Sequence, residues 1–496
     1  MNLLIKIYHS LPRSQNWKFW ISLALVVKCI FFLFNLFEFH NLIETYHGSF
    51  LLTTGDTYSY FDPIDDLISK GEYVYDFRMP GYGLIYYILR LIFSPTNALN
   101  FTGIFQILLS AISVYTLGLI CQNLFKSKNA FFAGYFIYLI SIYTSIYDSY
   151  LLSESLCTSF LIFSLYYFTK PEYTKKDLFF SGFCITWSIF LRPVIFPLLI
   201  IQVSLLLIKG IDNSFRLKSI DILCFLILFI VVDGTWIIRN EIRHKEFIPL
   251  QERSHYFDNT NNYQPGLIKF FQAFEGWEAG KELKGVLDNS KDELFYPKDI
   301  YTSKFNIDSL KNLQKIIEEL NNPLISSPEL ESKINFLKEN FFVYAKSIKE
   351  EKPFVYYFES RVRAAKQFLI QSGSSNLLSK PFYKLTVFKK FIKLFYGLLY
   401  YFILLFGFVG LIYLLLTGTK QKNILFLLIS FSGLYLMLVY PLIFKAEERR
   451  YFVTAYPLFI VGAVFILIKI QKFIGRKQYA WLTHSSSPAK ENLSEV

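Results

Sequence analysis

Four aspartates crowd the stretch TTGDTYSYFDPIDDLISKG at 53–71: Asp56, Asp62, Asp65 and Asp66. A carboxylate at a membrane surface can take a proton from a hydroxyl, its basicity set by burial and neighbouring charge. Four arginines, Arg78, Arg192, Arg239 and Arg450, fall at the ends of apolar runs, and Glu154 opens another. Guanidinium forks match phosphate oxygens. Each arginine has a plainer explanation as a side chain snorkelling to the interface. Glu154 equally suits a helix N-terminus, where the dipole favours an acid.

The aspartates are not equivalent. Asp62 before Pro63, with Asp65 and Asp66 following, has the form of a helix start. That helix is expected to run from Pro63 to Lys70 and stop at Gly71. It accounts for three of the acids. Asp56 lies ahead of it, among Gly55, Thr57 and Tyr58, where an Asx-turn is the alternative to chemistry. Tyr60 is either part of a site or an interfacial anchor.

These residues need a membrane to position them. The 496 residues are 53% hydrophobic and only 18% charged, with a mean hydropathy of +0.34, too apolar for a soluble protein of this length. Apolar runs at 20–38, 97–122, 129–147, 151–169, 178–191, 193–208, 219–238, 391–417, 423–444 and 451–471 approach the roughly 20 residues that span a bilayer. The expectation is an all-α polytopic membrane protein of about ten transmembrane helices with a mostly helical extracytoplasmic domain. Residues 1–40 do not have the form of a cleaved signal.

Basic residues fall in alternate loops: Lys6, Arg13 and Lys18; Lys126 and Lys128; Lys170, Lys175 and Lys176; Lys209, Arg216 and Lys218; Lys420 and Lys422; Lys472, Arg476 and Lys477. With ten spans these all face one side, so both termini are expected in the cytoplasm. The net charge of +12 then reflects topology and the lipid bilayer rather than nucleic acid, for which there is no recognition motif.

The expected organisation is a transmembrane module at 1–238 with a first outer loop at 39–96, an extracytoplasmic domain at 239–388, transmembrane helices at 389–472 and a disordered cytoplasmic tail at 473–496. Within 239–388, amphipathic helices are expected at 307–320 and after Ser327 as N-cap, with Pro328 at the first helical position. Cys29, Cys121, Cys157, Cys184 and Cys224 sit in or beside apolar runs with no metal or disulfide spacing, and the six histidines form no cluster. Neither a metal nor a cofactor is expected.

The order of several segments resembles a known family. Asp56 and Tyr60, a helix ending at Gly71, and RMPGYGLIYY are similar to the first outer loop of GT-C class integral membrane glycosyltransferases. The nearest group is the dolichyl-phosphate-mannose protein mannosyltransferase-like family, with its bacterial aminoarabinose transferase-like members. SIYDSYLLSESLC resembles the segment in which an acid, here Glu154, opens a span at the outer face. FLRPVIFPLLI resembles the Leu-Arg-Pro hinge and gives Arg192. DGTWIIRNEI resembles a Trp-x-x-Arg-Asn segment and gives Arg239 and Asn240. KAEERRYFVTAYPLFIVG resembles the closing Arg-Tyr segment and gives Arg450 and Tyr451. The likeness covers about residues 20–470. The chain departs from it at Thr57, where many relatives have Glu, and at Gly83, where many have Pro.

The resemblance implies an inverting transfer of a sugar from a polyprenyl-phosphate donor to an envelope lipid, glycan or protein acceptor outside the cytoplasmic membrane. It implies Asp56 as base, Arg192, Arg239 and Arg450 on the donor phosphate, and Tyr60, Arg78, Glu154, Asn240 and Tyr451 as substrate contacts. A lipid or sugar transporter is the alternative; functional charges near mid-bilayer would favour it. A non-catalytic scaffold is a third.

Overall fold

The computed structural model describes residues 12–39, 45–73, 78–209, 215–245, 247–250, 263–275, 301–320, 327–373, 377–378 and 380–485. Among these the chain is all-α; the one strand-like feature is a parallel bridge between Leu52 and Tyr150. The membrane part begins with α1 (Trp17–Phe39), α2 (Gly55–Lys70), α3 (Gly81–Arg90), α4 (Pro95–Phe125) and α5 (Lys128–Ile140). It continues with α6 (Glu154–Thr169), α7 (Lys175–Leu191), α8 (Phe196–Lys209) and α9 (Phe215–His244). An extramembrane unit holds α10 (Gln264–Phe274), α11 (Ile307–Leu320), α12 (Ser327–Glu351) and α13 (Ser360–Ile370). The chain returns through α14 (Val387–Gln421), α15 (Ile424–Leu438) and α16 (Tyr456–Ser485).

The expected count of about ten spans is corrected. Among the described residues, six helices are long and apolar enough to cross a membrane, or seven if Lys128–Ile140 and Ile142–Ser149, bent by 50°, form one span. The other three apolar runs make helices of 16, 17 and 14 residues, α6, α7 and α8. At 1.5 Å per residue these fall short of a hydrocarbon core about 30 Å thick. The runs at 151–169 and 178–191 end where α6 and α7 end, at Thr169 and Leu191, but α6 and α8 start three residues late, because Tyr150–Ser153 is non-helical and Pro193 follows an extended Arg192.

Helix ends elsewhere follow local chemistry. Ser94 Oγ accepts from Asn97 N–H at the start of α4, and Asn423 Oδ1 accepts from Leu425 and Phe426 at the start of α15. The α6–α7 turn is closed by a capping box in which Thr174 and Asp177 bond reciprocally, with Lys170 Nζ 2.5 Å from Asp177. Small residues bring helices close. A Cβ on Gly410 of α14 would lie 2.1 Å from the Gly462 carbonyl oxygen of α16, so only glycine permits that crossing.

The extramembrane unit has its own core, built from Phe270, Phe305, Leu313, Phe341, Tyr344 and Ile348. Both amphipathic helices form where the periodicity places them, although Leu330 is exposed. The unit bonds to the end of the α15 span, with Gln272 Nε2 donating to Phe444 O (2.8 Å) and Arg361 Nε to Leu442 O (2.9 Å). Residues 473–485 continue α16 rather than forming a separate tail. Lys6 and 486–496 lie outside the described residues.

Candidate functional site

Helix α2 begins earlier than its Asp-Pro signal suggests. It starts at Gly55, with the Thr57 hydroxyl accepting from Thr54 N–H at 3.0 Å, and Pro63 lies inside it. The end is as expected: Gly71 takes a left-handed φ of 75°, a conformation glycine adopts freely. The correction reassigns all four acids. Asp62 accepts from Tyr46 Oη (2.5 Å), Asp65 faces Tyr86, His47 and Arg90, and Asp66 pairs with Lys70. Asp56 sits in the first turn, where the helix dipole favours a carboxylate.

Asp56 is held from both sides. Arg78 Nη2 lies 2.9 Å from Oδ1 and Arg450 Nη2 lies 2.6 Å from Oδ2. Burial pushes the Asp56 carboxyl up, but Arg450 and Arg78 together outweigh it and hold its pKa below the ordinary carboxylate value. Arg78 is itself fixed, with Nε donating to Ser59 Oγ at 3.1 Å and the guanidinium 4.7 Å above the Tyr60 ring. The Tyr60 hydroxyl meets Ser153 Oγ at 3.0 Å.

Ser153 leads into α6, whose first residue is Glu154. Its Oε1 lies 2.8 Å from Arg192 Nη1 and 3.8 Å from Arg450 Nε. Its Oε2 is buried with no hydrogen-bond partner among the described residues. Arg192 is carried to the same place by the α6–α7 hairpin, pinned along its length by Ser164 on Ser181 and Ser188 on Cys157. Tyr451 lies between the arginines, with its ring 4.8 Å from Arg192 and 5.2 Å from Arg450, and stacks on Tyr440.

The loops carrying Asp56 and Glu154 are tied together. Leu52 N–H donates to Ser149 O and Leu151 N–H to Leu52 O, both at 2.9 Å; Thr57 Oγ1 donates to Leu151 O at 3.2 Å. Seven of the nine expected site residues therefore form one connected cluster: Asp56, Tyr60, Arg78, Glu154, Arg192, Arg450 and Tyr451. Arg239 and Asn240 are not in it. Arg239 lies over Trp236 (4.9 Å) and Tyr73 (5.5 Å) and donates to Asn240 Oδ1, while Asn240 donates to Ile248 O. The Tyr73 hydroxyl donates to Arg78 O at 3.4 Å and links this group to the cluster.

Trp236 also lines an apolar groove of about 260 Å³, walled by Pro80, Leu84, Phe183, Trp187 and Phe190. Arg239 stands against its aromatic wall, while Pro80 and Phe190 each lie two residues from Arg78 and Arg192.

Two features escaped the sequence reading. Glu448 Oε2 lies 2.6 Å from Arg450 Nε; its signal was an acid two residues before the arginine. The other is an ion pair inside the bundle. Lys28 Nζ lies 3.1 Å from Asp148 Oδ2, which also accepts from Ser110, while Oδ1 accepts from Ser155. A lone lysine in the apolar run of α1 was its signal.

Among the described residues no three of His, Cys, Asp or Glu gather to hold a metal ion. No protein-family model matches the sequence, and no curated protein does. The chain is a multi-pass, mostly helical membrane protein with a helical extramembrane unit.

Proposed function

We propose that this chain is a membrane glycosyltransferase. It moves a sugar from a polyprenyl-phosphate carrier to a hydroxyl of an envelope lipid, glycan or protein, with inversion. The observation that carries the reading is the juxtaposition of Asp56, Glu154 and three arginines in one cluster neighbouring an apolar groove. The groove suits an isoprenoid tail and the guanidiniums suit its phosphate.

In the reaction the acceptor oxygen attacks the anomeric carbon and the bond from that carbon to the phosphate oxygen breaks. The electron pair leaves with the polyprenyl phosphate, and Asp56 takes the hydroxyl proton. Arg192 and Arg450 stabilise the charge gathering on the leaving phosphate. Glu154 Oε2, which has no hydrogen-bond partner among the described residues, accepts from a sugar or acceptor hydroxyl. Arg239 holds the phosphate end of the carrier at the groove, with Asn240 orienting it.

The reading places the chain in the cytoplasmic membrane with both termini inside and the site outside.

Asp56→Asn tests the chemistry. It is expected to lower transfer by 10²- to 10⁴-fold, the usual worth of a general base, while the protein still inserts. The readout is mass spectrometry of envelope glycolipids and glycoproteins from a strain carrying only the variant. Near-normal product would remove Asp56 as base.

The transporter reading has the Lys28–Asp148 pair in its favour, a buried ion pair within the bundle. Replacing both, Lys28→Met with Asp148→Leu, separates the two. The transferase reading expects transfer to persist in whatever fraction folds, whereas the transporter reading expects substrate movement into proteoliposomes to be lost in that fraction.

A further inference from the structure

Arg450 is shared among three acids. Its Nη2 holds Asp56, its Nε holds Glu448 at 2.6 Å, and the same Nε lies 3.8 Å from Glu154. Both oxygens of Asp56 are meanwhile occupied, one by Arg78 and one by Arg450. A base so placed is weakened rather than blocked: each carboxylate oxygen keeps a further lone pair for a hydroxyl, but guanidiniums at 2.9 and 2.6 Å lower its affinity for the proton.

The cluster is also balanced in charge. Asp56, Glu154 and Glu448 oppose Arg78, Arg192 and Arg450, and Tyr60, Tyr82, Tyr147, Tyr440, Tyr451 and Cys157 are titratable groups facing the same charges. A phosphate entering it adds negative charge and oxygens that fit the guanidinium fork better than one carboxylate oxygen does. Arg450 Nη2 has a second acceptor in reach, Tyr451 Oη at 3.5 Å, and its Nε on Glu448 gives a point about which Nη2 exchanges partner; Arg78 is held by Ser59 and the Tyr60 ring.

We infer, resting on the transferase reading, that the donor's phosphate draws Arg450 Nη2 away from Asp56 and so strengthens the base when a donor is in place. Glu448 is the pivot of this movement. An acceptor hydroxyl then meets the stronger base only in the presence of donor.

The full-length protein in lipid nanodiscs provides the test. Infrared titration of wild type minus Asp56→Asn isolates the Asp56 carboxyl. The probes are farnesyl phosphate, farnesol and inorganic phosphate, with farnesyl phosphate binding followed separately by calorimetry. Farnesyl phosphate is expected to raise the protonation midpoint of Asp56 by about one pH unit or more, the usual consequence of losing an opposite charge within 4–6 Å. Farnesol should leave the midpoint unmoved. A rise with inorganic phosphate also supports the exchange and assigns it to the phosphate rather than the tail. In Arg450→Lys, which keeps the charge but loses the fork, the rise should largely vanish, and a rise equal to wild type overturns the inference. Farnesyl phosphate that binds without moving the midpoint overturns the inference and leaves the transferase reading standing. Farnesyl phosphate that does not bind overturns both.

Discussion

The molecule contains two sets of ionic contacts with similar chemistry and opposite character. In the Lys28–Asp148 pair the side chains are 0% and 2% exposed, and Asp148 receives Lys28, Ser110 and Ser155. Both of its oxygens are used within the protein. In the Asp56 cluster the side chains of Asp56, Arg78 and Arg450 are 31%, 23% and 18% exposed. One arginine serves three acids there, and Glu154 keeps an oxygen without a partner among the described residues. The first arrangement is saturated and fastens α1 to the segment leading into α6. The second leaves bonding capacity for a ligand. Whether charges are functional is decided less by their presence in a membrane than by whether the protein itself satisfies them.

Breaking the saturated pair gives the largest expected effect on stability. Lys28→Met leaves Asp148 as an unpaired buried charge, which typically costs about 3–5 kcal/mol. Thermal unfolding in detergent should show that loss, and adding Asp148→Leu should recover much of it. Asp56→Asn should shift the same transition little, because surrounding water and the remaining partners compensate at a part-exposed site. Equal destabilisation by the two would erase the distinction.

A smaller effect tests how far the open cluster extends. Arg239→Ala is expected to raise the donor KM about tenfold with little change in kcat, as for removal of an interaction made equally in ground and transition states. A change in kcat alone would move Arg239 into the reacting centre. An unaltered KM and kcat would reduce it to packing on Trp236.

The smallest effect concerns Lys445, next to the α15 span. Its Nζ donates to Gln272 O (2.6 Å) and Tyr356 O (2.8 Å), and burial, then Arg361 and Lys269, lower its pKa to about 7. Its folded pKa is therefore below the unfolded one. Between about pH 7 and pH 10 the unfolded chain binds more protons at this residue, so its contribution makes stability rise with pH. Lys445→Met should flatten that rise in a denaturation series across the range; an unchanged slope would show that Lys445 does not titrate there.

Much of this was legible in the sequence because it depends on local pattern. The amphipathic helices at 307–320 and from Ser327 follow periodicity, and Gly71 ends α2 as a left-handed cap. Asp56 stood out as the one acid in its stretch that a helix start did not explain, although the structure brings it into the first turn. The start of α2 was missed because Asp62–Pro63 is a stronger local signal than the Thr54–Thr57 contact that forms. Spans were over-counted because apolar runs shorter than a bilayer needs were accepted as crossings. The pairing of Asp56 with Arg450, and of Lys28 with Asp148, depends on contacts between distant segments, which no window of sequence contains. The separation of Arg239 and Asn240 was invisible for the same reason.

The bonds between the Leu52 loop and the Ser149–Leu151 segment bear on how the chain is made. The first loop cannot settle until α4, α5 and the bent segment after them have been synthesised, and Arg450 follows roughly 400 residues behind Asp56. At roughly 5–20 residues per second, that is a delay on the order of 20–80 s. During it Arg78 is the arginine already synthesised that pairs with Asp56 in the finished fold. The cluster is thus completed late in translation, and a nascent or truncated chain that stops short of Arg450 has the acid without the arm that governs it.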